Sequence, residues 1–183
     1  MRDEASPVVR SEAVEWLPRA QAAGGDIVRL LQQTVSSDPS MDVRREAVTS
    51  LGNLDSPEAL QLLRALGASS PERELRLEAV DALAAHGGVE LLDLGRTSTY
   101  MDVRKEVVEQ LARNRTSGLV AILVQFQTND PAREVRREAV DQLARLAEDG
   151  SAEARDALVR AMQDHADPSI RSEAAEALSD MDR

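Results

Sequence analysis

The sequence predicts an all-α solenoid, a stack of helical hairpins, and three observations carry that prediction. A single segment returns six times along the chain. Its clearest copies are Met41-Asp42-Val43-Arg44-Arg45-Glu46-Ala47-Val48, Met101-Asp102-Val103-Arg104-Lys105-Glu106-Val107-Val108 and Arg133-Glu134-Val135-Arg136-Arg137-Glu138-Ala139-Val140. Looser copies begin at Val9, Leu75 and Ile170. The shared arginines, Arg10, Arg44, Arg76, Arg104, Arg136 and Arg171, lie 34, 32, 28, 32 and 35 residues apart, a spacing that marks stacked supersecondary units. Each copy also has helical periodicity. Val43, Ala47, Val48, Leu51 and Leu54 share one stripe, while Asp42, Arg45, Glu46, Thr49 and Asn53 share the opposite face. Finally, Gly and Ser/Asp-Pro signals recur between the periodic stretches.

Taken in order, Ser6-Pro7 predicts the start of the first helix, running from about Pro7 toward Ala22, with Pro18 kinking or ending the regular helix and Gly24-Gly25 stopping it. Trp16 stands where later copies have Ser50, Ala82, Gln110, Gln142 and Ala177, and is expected to cap apolar surface at the array end. A second kind of helix follows from Asp26 to about Ser36, carrying Ile27, Leu30, Leu31 and Val35. Asp38-Pro39 starts the second motif helix. Glu58 to Leu66 is the next outer helix, expected to end at Gly67. Ser70-Pro71 starts the third motif helix, which runs to about His86. After Gly87-Gly88, Val89 to Leu94 is expected to be an unusually short helix. Ser98 is expected to cap the fourth motif helix, which ends near Asn114. Ser117 to Phe126 is the most apolar outer helix. Asp130-Pro131 starts the fifth motif helix, Ala152 to His165 forms another outer helix, and Asp167-Pro168 starts the last, ending near Met181. That makes eleven helices, alternating in kind, in one repeat domain over residues 1–183. The odd half-unit at the first end, and ends without polar caps, suggest a part of a longer protein.

Composition narrows the function. The chain has 183 residues and a net charge of −11, which disfavours unaided binding to nucleic acid or anionic membrane. Trp16, Tyr100 and Phe126 are its only aromatics and leave little for base stacking. There is no cysteine, so disulfides, thiolate metal sites and a cysteine nucleophile are out. No apolar run approaches a membrane span, and no signal-peptide pattern opens the chain. The expectation is a soluble, cytoplasmic protein. No glycine-rich phosphate loop or nucleophile elbow is present.

The shared arginines fall inside the apolar stripe. Buried guanidinium groups must find partners, so the six are expected to form a structural ladder rather than an anion-binding one. On the polar phase a glutamate returns in every copy, as Glu12, Glu46, Glu78, Glu106, Glu138 and Glu173. Fifteen acids share that phase against Arg45, Lys105 and Arg137. Two readings stand: an acidic surface that attracts a basic partner, or a solvated face with local helix pairs such as Asp42 with Arg45, Glu134 with Arg137 and Lys105 with Glu109.

With Asp130-Pro131, Val135-Arg136-Arg137-Glu138-Ala139-Val140 and Leu143 in place, the chain resembles HEAT repeats, and most closely the short subtype found in phycobilin lyases and bacterial scaffold proteins. The resemblance covers essentially the whole chain, as about five and a half helical-hairpin repeats. It implies a right-handed superhelix with the motif helices on the concave side. It also implies that each inward arginine pairs with an aspartate of an inter-repeat turn. Asp38, Asp130 and Asp167 are candidates, while the third and fourth copies offer Ser70 and Ser98 instead.

The resulting expectation is a non-catalytic protein-binding scaffold with no cofactor and no metal. Contacts are expected on the middle copies, at Glu46, Thr49, Glu78, Asp81, Glu106, Glu109, Glu138 and Asp141, with Met41, Tyr100 and Met101 as apolar anchors at the edge of the groove. An architectural or sensor segment of a larger protein is the alternative, and a bilin-lyase-like chromophore-handling protein a third. The iron-dependent hydroxylases of related fold use His-Glu steps as metal ligands. Here His86 precedes Gly87 and His165 precedes Ala166, so that ligand pattern is missing.

Overall fold

The computed structural model describes residues 6–19 and 26–181. Among these, eleven helices run α1 (Pro7–Trp16), α2 (Ile27–Ser37), α3 (Met41–Gly52), α4 (Pro57–Ser69), α5 (Arg73–Ala84), α6 (Gly88–Thr97), α7 (Met101–Arg113), α8 (Leu119–Asn129), α9 (Arg133–Glu148), α10 (Ala152–Asp164) and α11 (Pro168–Met181). No strand occurs among the described residues. The chain forms two compact units, Met1–Val103 and Arg104–Arg183.

The helix starts follow local chemistry. Ser6, Asp26, Ser56 and Ser151 each accept a hydrogen bond from a first-turn backbone N–H, satisfying a donor that the helix itself cannot. Asp38, Asp130 and Asp167 act one step earlier. Each accepts the N–H two residues on, from Ser40, Ala132 and Ser169, at 2.8–2.9 Å, and so shapes the turn into a motif helix.

In the first unit α3 packs on α2 and α5 on α4, while α1, α3 and α5 lie side by side. Val43, Ala47, Val48 and Leu51 are fully buried, as are Ala79, Val80 and Leu83. The outer helices meet them with Ile27, Leu31 and Val35 in α2 and Ala59 and Leu63 in α4. Ser50 is buried too and donates to the Val14 carbonyl at 3.1 Å. His86 Nε2 lies 2.7 Å from the Gly52 carbonyl, so that nitrogen carries the proton. In the second unit α9 packs on α8 and α11 on α10, with α9 beside α11. Val135, Ala139 and Leu143 are fully buried, and Leu123 and Leu158 face them from the outer side. His165 Nδ1 accepts the Asp167 N–H at 3.0 Å, so its Nε2 is the protonated nitrogen and donates to the Gln127 carbonyl.

Several local expectations are corrected. Gly67 does not end its helix. It lies inside α4, where a Cβ would stand 2.8 Å from Leu94 Cδ2, so this glycine serves helix packing rather than chain termination. The helix after Gly87 is ten residues long, because it starts at Gly88 and continues through Gly95 and Arg96. At Pro18 the expectation of a helix end is met: the first regular helix ends at Trp16, because the missing N–H cannot continue the ladder. The expected end at Gly24-Gly25 lies outside the described residues. Trp16 is 60% exposed with Arg19 stacked 4.4 Å from its ring centroid, so it does not cover a buried face. Leu30, assigned to an apolar stripe, is 48% exposed. The apolar outer helix begins at Leu119, after Gly118 turns the chain at φ 70°.

The arginine ladder supplies the polar links between copies. In the first unit Arg10 grips Asp38 through Nε and Nη2 at 2.8 and 2.9 Å. Arg44 donates to Glu72 at 2.9 Å and to the Val35 carbonyl at 2.8 Å. Arg76 donates to Asp102 at 2.7 Å and to the Ser70 and Pro71 carbonyls. In the second unit Arg104 grips Asp130 at 2.8 and 3.1 Å. Arg136 reaches Asp167 at 2.7 Å and the Asp130 and Pro131 carbonyls. Arg171 holds the His165 and Ala166 carbonyls. For the other five the acid comes from the copy that follows, so Asp38 serves Arg10 and not Arg44. Where the turn offers Ser70 or Ser98, the acid is supplied a few residues later, by Glu72 and Asp102.

Two outcomes follow. The Arg104–Asp130 side chains are only 9% and 3% exposed, so Arg104→Ala should cost about 3 kcal/mol by stranding a buried carboxylate. Chemical denaturation checks this, with Arg104→Lys recovering only part of the loss because an ammonium lacks the planar fork. At Gly52 a Cβ would stand 2.8 Å from Ala82 Cβ and 3.2 Å from Ala82 Cα. Gly52→Ala should therefore lower stability by roughly 1–2 kcal/mol despite the better helix propensity of alanine, measurable by thermal melting.

Candidate functional site

The polar phase of the motif helices was expected to be one acidic face. The structure divides it into acids bonded to the neighbouring copy and acids that are not. In the first unit Glu78 accepts from Arg45 Nε at 2.9 Å and from Thr49 Oγ1 at 2.7 Å. In the second unit Lys105 Nζ lies 2.8 Å from Glu138 and 2.6 Å from Glu109. Arg137 Nε lies 2.5 Å from Glu173, and Arg133 lies 3.7 Å from the same carboxylate. The expected local pairs Asp42–Arg45 and Glu134–Arg137 are replaced by these longer-range ones. A guanidinium one repeat away can meet its acceptor end-on, across two parallel helices. The Lys105–Glu109 pair is present as expected.

The remaining predicted residues are placed as follows. Glu106 lies 3.6 Å from Arg113 and accepts from Gln110, and Glu109 also meets Arg113 at 3.1 Å. Asp81 and Asp141 are exposed, Met101 is 40% exposed and Met41 half-buried. Tyr100 is half-buried with the Arg76 guanidinium 3.8 Å from its ring centroid, a cation–π contact that ties it to the ladder.

Charge differs along this surface. Burial by itself would push the Glu138 carboxyl up, but hydrogen bonds from Lys105 and Gln142 outweigh it and hold the group below the usual range. Those same acids, Glu109 first, raise the Lys105 ammonium. Glu46 is pushed up, by burial first and then by Glu15 and Glu78. Asp141 is pushed up by desolvation and by Glu138. Glu173 is pushed up despite Arg137, because its Oε2 is buried without a hydrogen-bond partner. Glu46 is the informative case. The copy before it has Ser11 where Arg45, Lys105 and Arg137 stand, so no base reaches forward to it.

Arg45, Lys105 and Arg137 are the residues whose role the sequence reading missed. Each precedes its acid, Glu78, Glu138 or Glu173, by about one repeat period, and that spacing was a usable signal. Among the described residues no group of three or more His, Asp or Glu side chains is arranged to hold a metal ion, and no helix is long and apolar enough to cross a membrane.

The family model for HEAT repeats matches residues 1–84 and 89–179. The chain belongs to the HEAT-repeat family. Its HEAT units are the hairpins described above, each an outer helix followed by a motif helix. Among solved structures, Escherichia coli YibA is similar at 17% identity, over 98% of this chain and 76% of that one, with a TM-score of 0.51. Human deoxyhypusine hydroxylase in complex with glycerol matches at 19% identity, over 98% and 81%, with a TM-score of 0.44. The complex of CpcE and CpcF of phycocyanin lyase from Nostoc sp. PCC7120 matches at 17% identity, over 97% and 93%, with a TM-score of 0.36. No curated protein sequence matches the chain.

The sign of the Glu46 effect is testable. A carboxyl raised above its unfolded value costs stability at neutral pH, and the cost disappears below the unfolded value, where both states are protonated. Glu46→Gln should gain a few tenths of a kcal/mol at about pH 7, after discounting for solvent screening, and essentially nothing at about pH 3.5. Urea unfolding of both proteins at the two pH values measures it; a gain that grew on acidification would contradict the assignment.

Proposed function

We propose that this HEAT-repeat chain is a non-catalytic binding module whose motif-helix surface receives a basic segment of another protein. The observation that carries this reading is the Glu46 carboxylate, which lies beside two other acids and meets no base from the copy before it. Burial and then the like charges of Glu15 and Glu78 push Glu46 up, and in the second unit Asp141 is raised by desolvation and Glu138 against the opposing charges of Arg137, Arg145 and Lys105. An arginine or lysine from a partner would relieve that repulsion, and the surrounding negative field would speed its approach. In this reading Thr49, Asp81, Met41 and Met101 flank Glu46 in the first unit, and Glu106 and Glu109 flank Asp141 in the second.

An architectural role has its own supporting observation. Glu78, Glu138 and Glu173 are engaged with bases of adjacent copies, and in that capacity they hold repeats together. The two readings separate at the residues without such bonds. Affinity capture from a lysate of the source organism, in low and moderate salt, compares the parent with a Glu46→Arg/Asp141→Arg variant. The binding reading expects a salt-sensitive protein partner whose recovery falls by about tenfold or more in the variant. Equal recovery with both baits, or none with either, leaves the architectural role as the function.

A further inference from the structure

Lys105 is the only lysine of the chain, and its ammonium bridges two carboxylates. Its Nζ lies 2.6 Å from Glu109 on the same helix and 2.8 Å from Glu138 in the copy that follows. Arg113 also meets Glu109, at 3.1 Å, without taking the place of the ammonium. The arginines at the same position stand in different company. Arg45 and Thr49 together hold Glu78. Arg137 bonds Glu173, with Asp141 where the Lys105 copy has Glu109. A pair of glutamates is thus met by lysine, and a glutamate with a shorter neighbour by arginine. The chemistry fits: a compact ammonium turns three donors toward converging oxygens, whereas a guanidinium offers a rigid planar fork.

The first two copies hold the same constellation with the base left out. Counted from the shared arginines Arg10 and Arg104, Glu15 corresponds to Glu109 and Arg19 to Arg113. Counted from Arg44 and Arg136, Glu46 corresponds to Glu138. The residue that corresponds to Lys105 is Ser11. α1 and α3 lie side by side, and Glu15 is one of the two acids that add to burial in raising the Glu46 carboxyl. Arg19 repeats the part of Arg113, reaching Glu15 at 3.8 Å. Among the described residues no base reaches Glu46. The helix that should supply one is present and packed, but its side chain at that position is a serine, too short to bond. Lys105 is itself 40% exposed, so the equivalent place on α1 and α3 is open to a side chain arriving from solvent.

We infer that Glu15 and Glu46 form a receptor for the ε-ammonium of a lysine from a partner protein, which binds there as Lys105 binds between Glu109 and Glu138. The inference rests on the basic-segment reading given above and narrows it, from a basic residue to lysine and from the motif-helix surface to one pair of carboxylates. Acetylation of that lysine, which removes its charge, abolishes the contact.

The probe is a fluorescent peptide of glycine and serine with regularly spaced lysines, and its counterparts carry arginine or acetyllysine at the same places. Fluorescence anisotropy at low salt follows their binding to the whole protein. The lysine peptide should bind, the arginine peptide about threefold or more weaker, and the acetyllysine peptide not at all. Ser11→Lys places the protein's own ammonium between Glu15 and Glu46. Affinity for the lysine peptide should then fall about tenfold or more, while the melting temperature rises by about 1–2 °C. Ser36→Lys adds the same charge on α2 and should bind like the parent, as should Asp141→Arg. Equal binding by Ser11→Lys and the parent, a lowered melting temperature of Ser11→Lys, equal losses in Ser11→Lys and Ser36→Lys, or no binding of the lysine peptide each overturns the receptor. An arginine peptide bound as tightly as the lysine one overturns the choice of lysine and leaves the basic-segment reading standing. A loss confined to Asp141→Arg overturns the receptor and puts the basic segment on the second unit.

Discussion

The forward-reaching arginine is the interaction on which the repeat geometry depends. Each guanidinium sits in the apolar stripe of its motif helix, where it would be intolerable alone. In the first five copies it becomes tolerable because an acid of the following copy meets it, as Asp38 meets Arg10 and Asp130 meets Arg104, while Arg171 holds backbone carbonyls. The same aspartates also fold their own turns by accepting the N–H two residues on. One carboxylate therefore fixes both where a helix begins and where the neighbouring copy lies against it. Arg76 and Arg136 add a third link by donating to the carbonyls at the end of the preceding outer segment. Aliphatic side chains contribute most of the buried surface, but they are non-directional, and it is the ladder that specifies register.

A second layer of pairing lies on the polar face. Arg45 to Glu78, Lys105 to Glu138 and Arg137 to Glu173 repeat the logic of the ladder nearer to solvent. Such partly exposed pairs are individually weak. Their larger effect is on the surface that remains. They neutralise part of an acidic row and leave Glu46, beside Glu15 and Glu78, without a base from the copy before it. An acidic HEAT protein need not be acidic everywhere, and the places where its internal pairing lapses are where a basic partner gains most.

Much of this was legible in the residues. The six arginines and their phase predicted a ladder position, and the Ser-Pro and Asp-Pro signals placed helix starts to within a few residues. The partners of Arg44 and Arg76 were not legible, because the acid slips from the turn itself to Glu72 and Asp102, and a repeat alignment looks for it at a constant place. Gly67 reads as a helix stop, yet its absent side chain is a contact feature, the space filled by Leu94. Trp16 reads as a cap over apolar surface at the array end, and only the packed structure shows it 60% exposed with Arg19 against its ring.

The sequence by itself determined the class of fold, the alternation of outer and motif helices, and the inward phase of the arginines, because these follow from periodicity and local turn chemistry within a few residues of each site. The tertiary structure alone decided which acid meets which base and which glycines touch a neighbouring helix. Those outcomes depend on side chains about one repeat apart in sequence that approach within a few ångströms only after the helices have packed.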